Sequence, residues 1–347
     1  MEVHIGISTI RFTYMTQNIR DFVTTSCELL GLGEASHLEP AFGWVRNDLF
    51  ARLVDHGFRS VALESDRVAA FAVDDFVREG VGTLDAAMRD GFSHGFGGVD
   101  ANRQLVAWMR DFNERRPPEE RLAFHGFDGA METMSAPSPR RYLEHARDYL
   151  ALDHDIAGLA GDDERWSRTE AVMDAGASPG AGAEAERLRS IADDMLTLLY
   201  VRAAEASSRT EWLRARTYLT TGLGLLRYHA QAAQDLDQTT RWTRMCATRD
   251  ALMAQNLLDI RSIEDRRGPT LVFAHNVHLQ RDRSHLRMGD MDIDWFSAGA
   301  IVASLVGERY TFVAGSVGQH ESTPDTYDLR RQTDTTGADA VLHVAGR

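Results

Sequence analysis

The stretch GLGEASHLEP (31–40) places a carboxylate, Glu34, and an imidazole, His37, three residues apart and then stops at Pro40. An imidazole exchanges protons near neutral pH unaided, and a neighbouring carboxylate orients the ring and stabilises its protonated form. The same kind of chemistry ends three other runs. Glu64 and Asp66 follow SVAL, His125 and Asp128 end LAFHGFD, and His275, Asn276 and His278 end TLVFAHNVH. Alone, an acid after an apolar run is most often a helix cap, and a single histidine most often a satisfied core residue. The repetition at successive run ends favours one shared site.

The elements that must position these groups are the runs themselves. SVALESD (60–66), LAFHGFD (122–128), TLVFAHNVH (270–278), YTFVAGSVG (310–318) and AVLHVAG (340–346), with the approach from Cys27 to Leu32, are near-continuous apolar segments. Strands covered on both faces read this way. Helical patterns separate them, which predicts an α/β fold, a mainly parallel sheet flanked by helices. In such sheets ligands bind beyond the carboxyl ends of the strands, where residues scattered in sequence meet. From Pro139 to Ile263 apolar residues recur at helical spacing. The small, Gly/Pro-rich DAGASPGAGAEAE (174–186) interrupts them and reads as an exposed connection. The expected organisation is a core built from 1–138 and 264–347, with a helical cap, 139–263, covering the pocket and setting specificity through apolar contacts.

Pro40 suits the first turn of a helix, and FGWVRNDLFARLVDHG continues it. Its apolar row is Phe42, Val45, Leu49, Phe50 and Leu53, and Arg46 falls on that row. Helical side chains lean toward the N-terminus, so Arg46 reaches back toward Glu34 and His37. The alternative is an arginine snorkelling to solvent along its stem. Water activation for hydrolysis needs a histidine base, a carboxylate beside it (Glu34 or Glu64) and positive donors for an oxyanion. Arg46 and one of His275 or His278 are the candidate donors. GFSHG (91–95) matches G-x-S-x-G in letters, but TLDAAMRD before it reads as helix and GFGGVD after it as loop. A nucleophile elbow needs strand then helix. The segment is expected to edge the pocket, with His94 as a possible lining residue. Zinc is the closest rival to metal-free catalysis, since Glu34, His37, Glu64, His275 and His278 are all competent ligands. GEASH is not H-E-x-x-H, however, and positions three apart on a regular strand face opposite ways, so FAHNVH supplies two ligands only if the strand has ended or bends there. No metal and no cofactor are expected. In the cap, RYHA (227–230) points Arg227 and His229 in different directions, so at most one faces the cleft. Candidate substrate contacts are His125, Asp128, Asn276, His229 and Arg227.

Composition narrows the partners. The net charge is −14, with no basic, aromatic-rich stripe, so nucleic acid is not expected. No run of apolar residues is long enough to span a membrane, and MEVHIGISTIRFTYMTQNIR has no secretion-signal pattern. Two cysteines, Cys27 and Cys246, are too few for a disulfide framework or a cysteine zinc site and fit a reducing cytoplasm. The expected partner is a small molecule; the sequence says nothing of oligomeric state.

GEASH (33–37), Arg46 nine residues on, LES (63–65), QLVAWMRDFN (104–113), AFHGFD (123–128), RDALMAQN (249–256), FAHNVHL (273–279), MG (288–289) and VGERYTFVAG (306–315) follow one another along the chain. In these segments and their order the chain resembles the erythromycin esterase family. The resemblance implies hydrolysis of a macrolide lactone ester, with a histidine as general base for water. Carried over, that base is His37, and Glu34, Arg46, Glu64, His275 and His278 are the other matching polar positions. Leu38 stands where the family often has glycine, Gln255 where it often has glutamate, and the cap is the least matched part. The implied substrate is therefore an ester or lactone of a macrolide-like or other small natural product, in antibiotic resistance or in biosynthesis, rather than erythromycin itself. Two other functions stay open: cyclisation, dehydration or isomerisation by the same His/Glu/Arg set, and small-molecule binding without catalysis.

Overall fold

The computed structural model describes residues 18–132, 134–318, 327–330 and 337–345. The N-terminal stretch 1–17, read above as free of a secretion signal, and Gly346 at the end of the last run lie outside these. In chain order the strands are β1 (Leu29–Glu34), β2 (Ser60–Asp66), β3 (Ala123–Asp128), β4 (Thr270–His275), β5 (Arg283–Met288), β6 (Met291–Phe296), β7 (Tyr310–Gly318), β8 (Tyr327–Arg330) and β9 (Ala340–Ala345). Seven of them form one sheet in the order β3-β2-β4-β1-β7-β9-β8. All its pairings are parallel except that of β8 on β9 at the edge. The expected α/β architecture is the observed one.

Side-chain alternation builds three layers. Leu30, Leu32, Val61, Leu63, Leu271 and Phe273 point to one face, where the helices Ala41–Val54, Ala70–Glu79 and Asp100–Asn113 cover them. Leu29, Ala62, Val272 and Ala274 point to the other, against Met253, Leu257 and Ile260 of the helix Gln238–Glu264 and Val302 of Ala298–Val306. Phe42, Val45, Leu49, Phe50 and Leu53 are all buried, so the helix after Pro40 presents the face its spacing predicts.

The cap has its own core. Leu143, Trp166, Leu188, Met195, Leu219 and Leu226 join Arg140–Tyr149, Ala183–Val201 and Arg209–Ala232. The last helix of the 139–263 region, Gln238–Glu264, runs from cap-side aromatic packing at Trp242 and Met245 down to the sheet. The segment 174–186 does connect helices, but its middle is not exposed. Pro179 and Gly180 are buried, and a Cβ on Gly180 would meet the His229 carbonyl at 2.0 Å. Among the described residues no helix is long and apolar enough to cross a membrane.

Two departures from the sequence reading shape the site. TLVFAHNVH leaves the strand at His275, whose ring accepts the Val277 N–H (3.2 Å) and caps a helical turn, Asn276–Leu279. A turn of helix brings residues three apart onto one side, so His275 and His278 do not diverge as they would on a strand. The second departure is the antiparallel hairpin β5–β6. Its inner Ile293 and Trp295 are buried, while His285, Arg287, Asp292 and Asp294 are exposed. One wet face interrupts the hydrophobic pattern, and no continuous apolar run marks it.

Candidate active site

The strands β2, β4 and β1 are neighbours, and their carboxyl ends carry Glu64, His275 and Glu34. Glu34 and His275 are register partners. Gly33 is required here by close approach: a Cβ on it would lie 2.0 Å from the Asn276 Oδ1. Asn276 uses that space to clamp β7, accepting the Gly315 N–H (2.9 Å) and donating to the Gly315 carbonyl (2.7 Å). This expected substrate contact is thus a brace between strand ends.

His37 follows β1 with its Nδ1 2.6 Å from Glu34 Oε1, and its Nε2 lies 3.9 Å from Glu64 Oε1. Its side chain is 37% exposed, against 10% for Glu34 and 5% for Glu64. Burial alone would lower the pKa of His37; the Glu34 hydrogen bond and the charges of Glu64 and Glu34 outweigh it and raise it. Burial raises Glu34 above the ordinary carboxylate value, opposed by His37 and Arg46. Phe96 packs on the His37 ring at 5.2 Å between centroids.

Glu64 is the hub. Its Oε2 accepts the His275 N–H (2.9 Å), and its Oε1 lies 3.3 Å from an Arg249 nitrogen and 3.4 Å from His278 Nε2. Burial penalises its charge, but His278, Arg249, His37 and the His275 N–H outweigh that and lower its pKa to about 2. Arg249 also pairs with Asp128, placing that expected residue at the site, and His94 Nε2 lies 3.7 Å from the same carboxylate. The Ser93–His94 turn follows the helix Leu84–Asp90 and leads into a 3-10 turn at Phe96–Gly98, not a strand-to-helix elbow. Ser93 bonds His94 Nδ1 (2.8 Å).

The remaining expected residues take other places. His275 uses both ring nitrogens on the backbone: Nδ1 accepts from Val277, so Nε2–H donates to the Ala35 carbonyl (3.1 Å). Its pKa is lowered, by burial first and then by His37. Arg46 is buried and does not snorkel. Its guanidinium sits 4.8 Å over the Phe273 ring and donates to Asn102 (2.8 Å) and Asn47. Asn102 in turn donates to the Phe96 carbonyl (2.9 Å), so Arg46 reaches His37 through Asn102 and Phe96. Burial pushes Arg46 down to about 10, with the Glu34 charge opposing. His125 lies within β3, not at its end, between Glu264 (2.8 Å) and Arg67 (3.1 Å). His229 is buried in the cap against Trp166 and the Pro137 carbonyl, and Arg227 is exposed. Neither joins the cluster. Among the described residues no group of three or more His, Cys, Asp or Glu side chains converges as a metal site.

A cavity of about 590 Å³ lies on the far side of the Ser93–His94 turn and does not include His37. Asp66, Phe71, Met131, Arg141, Arg214 and Tyr218 are among its walls. The cap therefore supplies charged as well as apolar surface there. Glu132 from the same wall accepts the His94 N–H (3.0 Å), so cavity and cluster share a partition.

Arg249 and its neighbour Asp250 are the site residues that sequence reasoning missed. A signal existed: Arg249 falls on the row Met245, Arg249, Leu252, Asn256, a charge within a helical stripe, as Arg46 does.

The profile of the family described as erythromycin esterase matches residues 53–337. The match takes in Glu64, Asp128, Arg249, His275 and His278 and begins after Glu34, His37 and Arg46. The comparison with curated proteins finds no match. Three solved structures share the fold. A Bacillus cereus protein superposes with a TM-score of 0.64 at 19% identity, covering 86% of this chain and 68% of its own. A succinoglycan biosynthesis protein gives 0.61 at 15%, covering 90% and 72%. A mutant of the erythromycin esterase EreC in its open conformation gives 0.59 at 16%, covering 93% and 77%. At these identities the likeness is one of fold; it is the profile, spanning most of the sequence, that places the chain in the erythromycin esterase family.

Proposed function

We propose that the chain hydrolyses an ester or lactone bond in a macrolide-like or other small natural product, using water activated by His37. The observation that carries this reading is the 2.6 Å contact between Glu34 and Nδ1 of a partly exposed His37. With Glu34 accepting Nδ1–H, the lone pair is on Nε2, on the side of Glu64. The 3.9 Å from Nε2 to Glu64 Oε1 is too long for a direct hydrogen bond and suits one shared water. That water attacks the acyl carbon as its proton passes to Nε2. The oxyanion forms beside the two cations around Glu64, His278 and Arg249. Collapse breaks the bond to the alkoxy oxygen, which takes the proton back from His37. Ester and water become acid and alcohol, and the base is restored. Arg46 supports from behind, through its charge on Glu34 and its bond to Asn102. The cavity beyond His94 receives the unreactive body of the substrate.

The test is incubation with macrolides, other lactones and simple esters, read by mass, with wild type and His37→Asn side by side. Gain of one water by wild type alone supports the proposal. Loss of water, or an isomer of unchanged mass, would assign the site to cyclisation, dehydration or isomerisation. Tight retention of a ligand without conversion would make the chain a binding protein.

A further inference from the structure

His278 ends between two carboxylates, and only one of them, Glu64, also neighbours His37. Behind it stands Asp250, fully buried, on the helix Gln238–Glu264. Asp250 Oδ1 and Oδ2 lie 3.0 and 3.1 Å from His278 Nδ1. Oδ2 also accepts the Trp295 indole N–H (2.8 Å), and Oδ1 the backbone N–H of Ala298 (2.8 Å). Each oxygen of this carboxylate thus accepts from one fixed donor, Trp295 or Ala298, which favours His278 Nδ1 as a third donor. On the opposite edge of the ring, Nε2 faces Glu64 Oε1 at 3.4 Å, and that oxygen is itself tied to Arg249.

Adjacent residues of one helix thus serve opposite ends of a chain of alternating charge, from Asp250 through His278, Glu64 and Arg249 to Asp128. Arg249 looks into the strand ends, and Asp250 looks back toward the hairpin. Trp295 comes from β6, whose inner face is otherwise apolar. The hairpin therefore supplies two polar groups to the interior: the Ser284 hydroxyl donates to the Val277 carbonyl, and the Trp295 indole N–H is spent on Asp250.

We propose that Asp250, held by Trp295 and the Ala298 N–H, is a positioning residue that fixes His278 as a doubly protonated ring with its Nε2–H aimed at Glu64, on the side of His37. His278 is then the site's hydrogen-bond donor and cation, and His37 is left as its base. This role assignment rests on the hydrolytic reading above; the protonation state of the ring does not. The charged groups around the ring are Asp250 and Arg249 from the helix, Glu64 from β2, and His37 and His275 from the ends of β1 and β4. Burial would lower the pKa of His278, Arg249 adds to that, and the charges of Asp250 and Glu64 with the Asp250 hydrogen bond outweigh both and raise it. Two carboxylates against one arginine set the direction.

The test is histidine-selective nitrogen and carbon NMR of the full chain, which needs no substrate. In wild type at neutral pH the His278 nitrogens should both report protonation, and the ring should titrate above the ordinary histidine value. A ring protonated only at Nδ1, with a bare Nε2, would overturn the inference whatever the variants do. In Asp250→Asn the His278 titration should fall by about one pH unit or more, while His37 keeps its raised value. An unmoved His278 in a folded Asp250→Asn protein would also overturn it. Once a substrate is in hand, Asp250→Asn should lower kcat by about a hundredfold, with little change in KM and with the alkaline limb of the rate moved to lower pH. If no ester is turned over but the titrations behave as stated, the hydrolytic reading fails and the positioning of His278 stands. If esters are turned over and the titrations do not, the reverse holds.

Discussion

The strand ends and the cap both bury histidine, and they do opposite things with it. His278 lies between Asp250 and Glu64 and is raised in pKa. His229 lies against Trp166 and the Pro137 carbonyl with no carboxylate partner among the described residues, and burial lowers it to about 4. The difference shows that burial does not make a histidine chemically useful. At the strand ends, carboxylates hold the His37 and His278 rings, whereas the His275 ring bonds backbone and is lowered too. In the cap, the ring is a neutral packing piece. Burial strips water from both; only the strand ends return charge in its place.

The largest break between the two regions should come from His37→Asn set against His229→Gln. The first should cut kcat by about a hundred- to ten-thousandfold with thermal stability retained. The second should leave the turnover of folded enzyme unchanged, measured per active site, and act on stability instead.

Acid and alkali should sharpen the same contrast. The folded pKa of His229 is below its unfolded value of 6.5, so the unfolded chain binds more protons between about 4 and 6.5. Its contribution is complete above that window, and about 3 kcal/mol is lost as pH falls through it. For His37 and His278, whose folded values are raised, the sign is reversed: their contribution is present below 6.5 and lost as pH rises through the raised values. Denaturant unfolding across pH should show both slopes, and His229→Gln should reduce only the acidic one, to which the lowered His275 and Glu64 also contribute. The rate should follow a bell on the alkaline side of the ordinary histidine range, rising as His37 loses its proton and falling as His278 does.

A smaller effect is expected from Arg46→Lys. An ammonium lacks the planar fork that bonds Asn47 and Asn102 together. The loss should be about 1–3 kcal/mol of stability, with a drop in kcat carried through Phe96. Restored activity in this variant would mean that Arg46 supplies charge alone. At the bottom of the scale, Arg227→Ala, on the exposed face of the same helix turn as His229, should shift stability by no more than about 0.5 kcal/mol.

What the sequence made legible follows from periodicity. Glu34, His37, Glu64 and His278 could be placed together because each closes a run, and parallel strands end on one side of a sheet. His125 breaks that rule visibly in hindsight, since it stands three residues before the end of its strand and turns to the face where Glu264 waits. Asp250 was hidden because its partners come from a capped turn, a hairpin and a helix start, none of which leaves an apolar run. The hairpin's wet face and the strand's exit at His275 are tertiary facts, fixed by the sheet beneath them. Arg249 was within reach, as a charge on a helical stripe.

The most direct test of the central claim is hydrolysis in water enriched in heavy oxygen, using whichever lactone or ester the panel identifies. If His37 activates water, one heavy oxygen should appear in the product carboxylate and none in the alcohol, in a single turnover, and His37→Asn should lose the label and the product together. Product formed without label in the carboxylate, or labelled product formed at an undiminished rate by His37→Asn, would contradict the claim.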